Sequence, residues 1–254
     1  MDLFDLEDKV AIVTGCSSKQ GIGYAIAEGL AEAGADIAGV ARSDLSEIKE
    51  IIAAKTGRDF LAIKADLLKE KSLDEIIDKT LAEYGKIDIL VNNAGMIKRN
   101  PILEFPIEDW DAVLTVNLRS LFILTQKVAN YFVKNKIAGK IINTASMLSY
   151  QGGKFVPSYT ASKHAVAGIT KSFCNELAQH KINVNAIAPG YIATNNTAAL
   201  RNDEARSSSI LSRIPAGRWG TNNDLKGAAI FLASQAADYV HGSIIPVDGG
   251  WLAS

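Results

Sequence analysis

The chain has 254 residues, 48% of them hydrophobic, with 27 lysines and arginines against 28 acidic residues, which is enough apolar material for a large core in one domain. The balanced charge argues against the basic face that nucleic acid requires, no run approaches the ~20 apolar residues of a membrane span, and the start MDLFDLEDK lacks the basic and apolar regions of a leader. Cys16 and Cys174 form no C-x-x-C pair, and His164, His180 and His241 have no metal-ligand spacing, so a cytoplasmic chain with reduced thiols and no metal is expected.

Taken in order, Lys9 to Thr14 is a short β-rich run, followed by a glycine loop and the helical pattern YAIAEGLAEAG. Asp36 to Val40 predicts a second strand, and Ser46 to Ala54 a helix whose serine caps its start. Asp59 to Ala65 and Ser72 to Tyr84 repeat the pair, and Ile87 to Val91 runs into Asn92-Asn93-Ala94-Gly95. A long periodic helix is predicted from Ile107 to Asn135, then a strand at Lys140 to Ala145, a helix from Pro157 to about His180, and a strand at Ile182 to Ala188. Residues 191–219 form a polar, partly helical insertion before a last helix at Asn223 to Ala233 and a last strand at Ser243 to Val247. Strands alternating with helices predict one α/β domain over 1–254: a Rossmann-type, doubly wound parallel sheet of about seven strands with helices on both faces.

Gly15, Gly21 and Gly23 lie between the first strand and its helix, where glycine lets backbone approach a pyrophosphate held at the helix N-terminus, and Ser17 and Ser18 add hydroxyl donors. At the end of the second strand Ala41 carries no carboxylate, whereas Arg42 suits a ribose 2′-phosphate; this favours NADP(H), with Asp44 as a ribose ligand for NAD(H) in the other case. Ser146 follows a β-branched run and sits where a strand ends, while Tyr159 and Lys163 lie four residues apart on one helix face. A phenol beside an ammonium is a proton donor of adjustable acidity, and a neighbouring hydroxyl can hold a reacting oxygen.

Thr14-Gly15 with Gly21-Ile22-Gly23, Asn92-Asn93-Ala94-Gly95, Asn117, Ser146, Tyr159-x-x-x-Lys163 and Pro189-Gly190 together resemble the short-chain dehydrogenase/reductase family across nearly the whole chain. The resemblance implies hydride transfer between a nicotinamide and a carbonyl, with Tyr159 as acid, Ser146 on the substrate oxygen, Lys163 on the nicotinamide ribose, and Asn117 linking that lysine to solvent through water. It also implies that Asp66, with Leu67, meets the adenine, and that Asn93, Ala94 and Gly95 line the cofactor while Asn92 bonds backbone near the catalytic helix. Pro189, Gly190, Ile192 and Thr194 are expected to cover the nicotinamide. One departure stands out: Cys16 to Gln20 puts five residues between the first two glycines, where the family usually has three, and a longer loop is expected to alter the phosphate contacts.

Ligands of doubly wound sheets bind beyond the carboxyl edge, so substrate choice is expected from the loops there. These carry Lys98 and Arg99, Met147 and Gln151, and Tyr191, Asn195 and Arg201, a cationic and amide-rich set that suits a small sugar acid together with Ser146 and Tyr159. The stretches Ala145 to Ser149, Gln151 to Gly153, Ala188 to Thr197, Ile214 to Gly220 and Val247 to Leu252 resemble members of the same family that interconvert 2-keto-3-deoxygluconate and its 2,5-diketo form in uronate degradation, mostly with NAD. That likeness implies a homotetramer with Trp251 near a subunit contact or a neighbouring site. The alternatives are reduction of 5-ketogluconate or of a 3-oxoacyl carrier-protein thioester, and, in another class, a non-catalytic nucleotide sensor.

Overall fold

In the computed structural model, which describes residues 2–254, the apolar runs become seven parallel strands. They are β1 Val10–Thr14, β2 Asp36–Ala41, β3 Phe60–Lys64, β4 Ile89–Asn92, β5 Lys140–Thr144, β6 Asn183–Pro189 and β7 Ile244–Val247. The connecting helices are α1 Ile22–Glu32, α2 Ser46–Thr56, α3 Glu70–Tyr84, α4 Ile107–Leu114, α5 Ser120–Asn135, α6 Pro157–Leu177, α7 Ala198–Asn202, α8 Glu204–Leu211 and α9 Lys226–Ala233. Among the described residues no helix is long and apolar enough to cross a membrane.

Successive side chains of a strand face opposite sides of a sheet, and both sides here are apolar and covered. Ala11 and Val13 of β1 join a core with Ile26 and Leu30 of α1, Ile48 and Ile52 of α2 and Leu232 of α9. Ile12, between them, belongs to the opposite core with Leu73 and Ile76 of α3 and Leu124, Val128 and Phe132 of α5. That is why VAIVT, ILVN and KIINT are buried at every residue and mainly apolar, whereas the edge strands β3 and β7 are partly exposed.

The strand order is β3-β2-β1-β4-β5-β6-β7. The chain leaves β1 toward β2 and β3 on one side and resumes at β4 on the other, which opens a crevice at the carboxyl ends of β1 and β4.

Two expectations need correction. The helix expected from Ile107 to Asn135 is interrupted by a π-helical turn, Thr115–Arg119, between α4 and α5. Ser46 is the first helical residue of α2 and does not cap it; Leu45 holds the cap position, and the Ser46 hydroxyl donates to Asp44 Oδ1 at 2.9 Å. The Asp44 carboxylate also takes the Ser46 backbone N–H, so a stronger acceptor has displaced the serine from that role.

Candidate active site

Gly15 directly follows β1 with φ +75°, a conformation in which a Cβ would be strained, and one built there would lie 2.8 Å from Ala94 Cα. Gly23 is tighter: its Cβ would stand 2.3 Å from Gly15 O and 2.3 Å from Asn93 Nδ2. The first turn of α1 is thereby pressed against the end of β1, and its free N–H groups open toward the crevice. Asn93 braces this corner by donating from Nδ2 to Thr14 O at 2.9 Å and Gly15 O at 3.2 Å, while Thr14 Oγ1 accepts from the N–H groups of Asn93 and Ala94 at 3.0 Å.

A cleft of about 690 Å³ runs from this corner along the sheet edge. Ser17, Ser18, Gly21, Ile22 and Gly23 line it at the glycine loop, and Arg42, Ser43, Asp66 and Leu67 at one side. Asn93, Ala94, Gly95, Met96 and Thr144 form its middle and Tyr159, Lys163 and Thr194 its far end, while Asn195, expected at the substrate, reaches back to the glycine loop and donates from Nδ2 to Ser18 Oγ at 3.3 Å. A pyrophosphate-sized cradle with no room for a Cβ, next to a helix N-terminus, fits a dinucleotide. The longer loop leaves that cradle in place, because Lys19 and Gln20 are exposed and absent from the lining.

At the far end, Lys163 is buried, and its ammonium lies 5.5 Å from the centre of the Tyr159 ring and donates to Thr144 O at 2.5 Å. Burial lowers its pKa to about 8, because the charged form has lost its water. Burial likewise raises the half-buried Tyr159 phenol above its ordinary value, while a hydrogen bond from Ser146 and the charge of Arg99 pull it back. The phenol is therefore protonated at neutral pH, poised to donate.

Ser146, buried at the end of β5, accepts from Leu148 N at 3.1 Å. Ser149, which nothing in the sequence pattern singles out, ties the two halves together: its hydroxyl accepts from Ser146 N at 3.3 Å and donates to Lys163 O at 2.7 Å.

Asn117 sits in the π-helical turn, fully buried, where a shifted register aims a side chain inward. Its amide accepts from Met96 N at 2.8 Å and donates to Met96 O at 3.0 Å and Ser162 Oγ at 3.1 Å. Both amide hydrogens are thus engaged, so the side chain holds the post-β4 loop to α6. Asn92 also differs from expectation: it donates to side chains, Thr125 Oγ1 and its cross-strand partner Asn143 Oδ1, each at 3.0 Å, and reaches α6 only through Asn143, whose Nδ2 donates to Thr170 Oγ1 at 3.0 Å.

The remaining expected residues are placed as follows. Pro189, Gly190 and Ile192 are outside the cleft lining; Gly190 N bonds Val247 O at 3.0 Å and Ile192 bridges to Gly220. Asp44 does not line the cleft either. Of the substrate set, Arg99 is close enough to act on Tyr159 and donates to Asn196 O at 3.1 Å. Lys98 is paired with Asp109 at 3.0 Å, and Arg201 donates to Thr194 O at 3.1 Å. Met147 is buried in an apolar cluster with Trp251. Gln151 accepts from Trp251 Nε1 at 2.8 Å, and Tyr191 packs edge-on against Trp251 at 4.8 Å and Trp219 at 5.4 Å. Trp251, expected near a subunit contact, is 4% exposed within its own chain and has the Arg213 guanidinium 4.0 Å above its ring.

Comparison with known proteins agrees with this geometry. A family profile described as Enoyl-(Acyl carrier protein) reductase matches residues 15–252. The 2-dehydro-3-deoxy-D-gluconate 5-dehydrogenase of Escherichia coli (strain K12) is 55% identical over 253 residues, covering 100% of this chain and 99% of that one. The protein of the same name from Bacillus subtilis (strain 168) is 54% identical, covering 99% and 98%. Among solved structures, a gluconate 5-dehydrogenase from Burkholderia cenocepacia in complex with NADP and tartrate superposes with TM-score 0.92 at 39% identity, covering 100% of this chain and 98% of that one. An Agrobacterium tumefaciens structure with bound NADP superposes with TM-score 0.93 at 52% identity over all of both chains. With the sheet, the glycine corner and the serine, tyrosine and lysine all in register, this chain belongs to the short-chain dehydrogenase/reductase family and is an NAD(P)-dependent oxidoreductase.

Proposed function

We propose that the chain interconverts 2-dehydro-3-deoxy-D-gluconate and 3-deoxy-2,5-hexodiulosonate, with NADP(H) as the preferred cofactor. The observation that carries the reading is one continuous cleft with Tyr159, Lys163 and Thr194 at one end and Arg42 at the other, in a chain more than half identical over its length to the named dehydrogenases. When bound, the nicotinamide supplies or accepts the hydride at the substrate carbon. Tyr159 gives its proton to the substrate oxygen as charge develops there, and Ser146 holds that oxygen. Lys163 keeps a positive charge beside the phenol. The Arg99 guanidinium, a fixed cation near Tyr159, is the natural partner of the sugar-acid carboxylate.

NADP(H) is favoured because Ala41 and Arg42 line the cleft where β2 ends, while the Asp44 carboxylate is turned to Ser46. A homotetramer is the assembly that fits the exposed Ile102, Leu103 and Ile107 around the start of α4, and a monomeric mass by light scattering would remove it. The test of activity follows NADH and NADPH oxidation separately with 3-deoxy-2,5-hexodiulosonate and with 5-ketogluconate. The expected outcome is faster turnover of the deoxy substrate with NADPH, and a rise of roughly 10- to 100-fold in the KM for NADPH in Arg42→Ala, the loss of one charge-assisted phosphate contact. Faster turnover of 5-ketogluconate, or an Arg42→Ala enzyme with unchanged cofactor KM, would replace the substrate or the cofactor assignment respectively.

A further inference from the structure

Five residues separate Gly15 from Gly21, and they divide by environment. Cys16 turns into the core, where its thiol points at Val13 O at 3.5 Å, and Ser17 and Ser18 face the cleft. Lys19 and Gln20 bulge into solvent. An exposed bulge directly before a helix N-terminus spreads the loop over more conformations, and each extra residue adds ordering entropy that a bound pyrophosphate has to offset.

The bulge is held from a distant part of the chain. Asn222 Nδ2 donates to Lys19 O at 2.8 Å and to Gly21 O at 3.3 Å, so one amide nitrogen spans the outer arm of the loop. Asn222 opens a 3₁₀ turn, Asn222–Leu225, capped by Thr221 and leading straight into α9. Four residues further on, Lys226 pairs with Glu32 of α1 at 3.0 Å and also with Glu28. The platform that carries Asn222 is therefore fixed to the same helix whose N-terminus the loop feeds. Asn222 is absent from the cleft lining.

From this arrangement we infer that Asn222 is a positioning residue for dinucleotide binding, whose amide clamps the lengthened glycine loop so that Ser17, Ser18 and Gly21 keep the geometry a pyrophosphate needs. The inference rests on dinucleotide binding in this cleft, which titration of the unaltered protein with NADPH measures by itself. Asn222→Leu removes the donor at similar size, and Asn222→Ala removes the side chain. Asn223→Ala, at the exposed neighbouring position, is the control.

In both Asn222 variants the Kd for NADPH, read by protein fluorescence quenching, should rise by roughly 3- to 30-fold, the loss of one to two neutral hydrogen bonds. The kcat at saturating NADPH should stay within about twofold of wild type, since the clamp lies outside the reacting end. Without cofactor, trypsin should cut after Lys19 faster in both variants than in the wild type or Asn223→Ala, a readout that does not depend on activity. A Kd within about twofold of wild type, unchanged cleavage at Lys19, or equal effects from Asn223→Ala would overturn the assignment.

Discussion

In the proposed reaction Tyr159 is protonated when a ketone arrives and loses that proton within the same encounter. Burial supplies the first condition by raising the phenol, while the Ser146 hydrogen bond and the Arg99 charge ease the second by favouring phenolate. Lys163 adds a cation near the ring, although its own burial brings its pKa to about 8. Removing the hydroxyl leaves this packing and the glycine corner untouched. Tyr159→Phe is therefore expected to bind NADPH with near-wild-type Kd while its kcat falls by ~10²- to 10⁴-fold, measured by single-turnover hydride transfer. A turnover close to wild type would remove Tyr159 from the proton-transfer role. At this scale Tyr159 and Lys163 were legible because a helix puts residues four apart side by side, and Ser146 because it follows a β-branched run at the end of a strand. Ser149 was not, because its partner Lys163 O is 14 residues away and the contact exists only once β5 and α6 are docked.

Among the elements, α1 carries the tightest constraint. Its second residue, Gly23, packs so closely on Gly15 O and Asn93 Nδ2 that a methyl group has nowhere to go without moving the helix or the end of β1. Gly23→Ala is expected to lower stability by about 1–3 kcal/mol, the usual cost of overpacking, and to weaken NADPH binding more than tenfold, because the helix N-terminus shifts with it. Chemical denaturation and a cofactor titration on the same protein check both, and an unperturbed Kd would show that the approach is not needed for binding. The π-helical turn at Thr115–Arg119 is the opposite case. Residues 107–135 carry an uninterrupted helical pattern, and a π turn changes register without a marker such as proline or glycine; the bonds from Asn117 to Met96 and Ser162 show what the shifted register serves.

Across the whole molecule, α1, α2 and α9 are joined by one ionic cluster, built around the buried Glu28 with Lys55 half-exposed at its rim. Tyr24 donates to Glu28 Oε1 at 2.6 Å, Lys55 pairs with Glu28 at 3.0 Å and Glu32 at 2.8 Å, and Lys226 pairs with both carboxylates. Burial alone would raise the Glu28 pKa, but hydrogen bonds from Lys226, Tyr24 and Lys55 outweigh it and bring the value to about 2. A carboxylate whose folded pKa is depressed contributes stability that is complete above its unfolded value near 4.5 and is lost as pH falls toward 2. Glu28→Gln should therefore cost about 1–3 kcal/mol at pH 7, since Lys55 and Lys226 then have only Glu32 as a carboxylate partner. The gap from wild type, followed as Tm from pH 7 to 3, should narrow below about 4.5. A gap that stays constant across that range would mean that the Glu28 pKa is the same in the folded and unfolded states.

By itself the sequence determined the alternation of strands and helices, the glycine corner, the spacing of the phenol and ammonium, and Arg42 at the end of β2. Each of these depends on chemistry local to a few consecutive residues: apolar periodicity, glycine's freedom, or the pitch of a helix. Only the tertiary structure decided which polar side chains reach the cleft and which are spent elsewhere. Lys98 is paired with Asp109, Gln151 with Trp251, and the outer arm of the long glycine loop with Asn222, some 200 residues later in the chain. The physical reason is that a side chain's hydrogen-bond partners follow from how the elements pack, and packing brings together groups whose separation along the chain carries no pattern of its own.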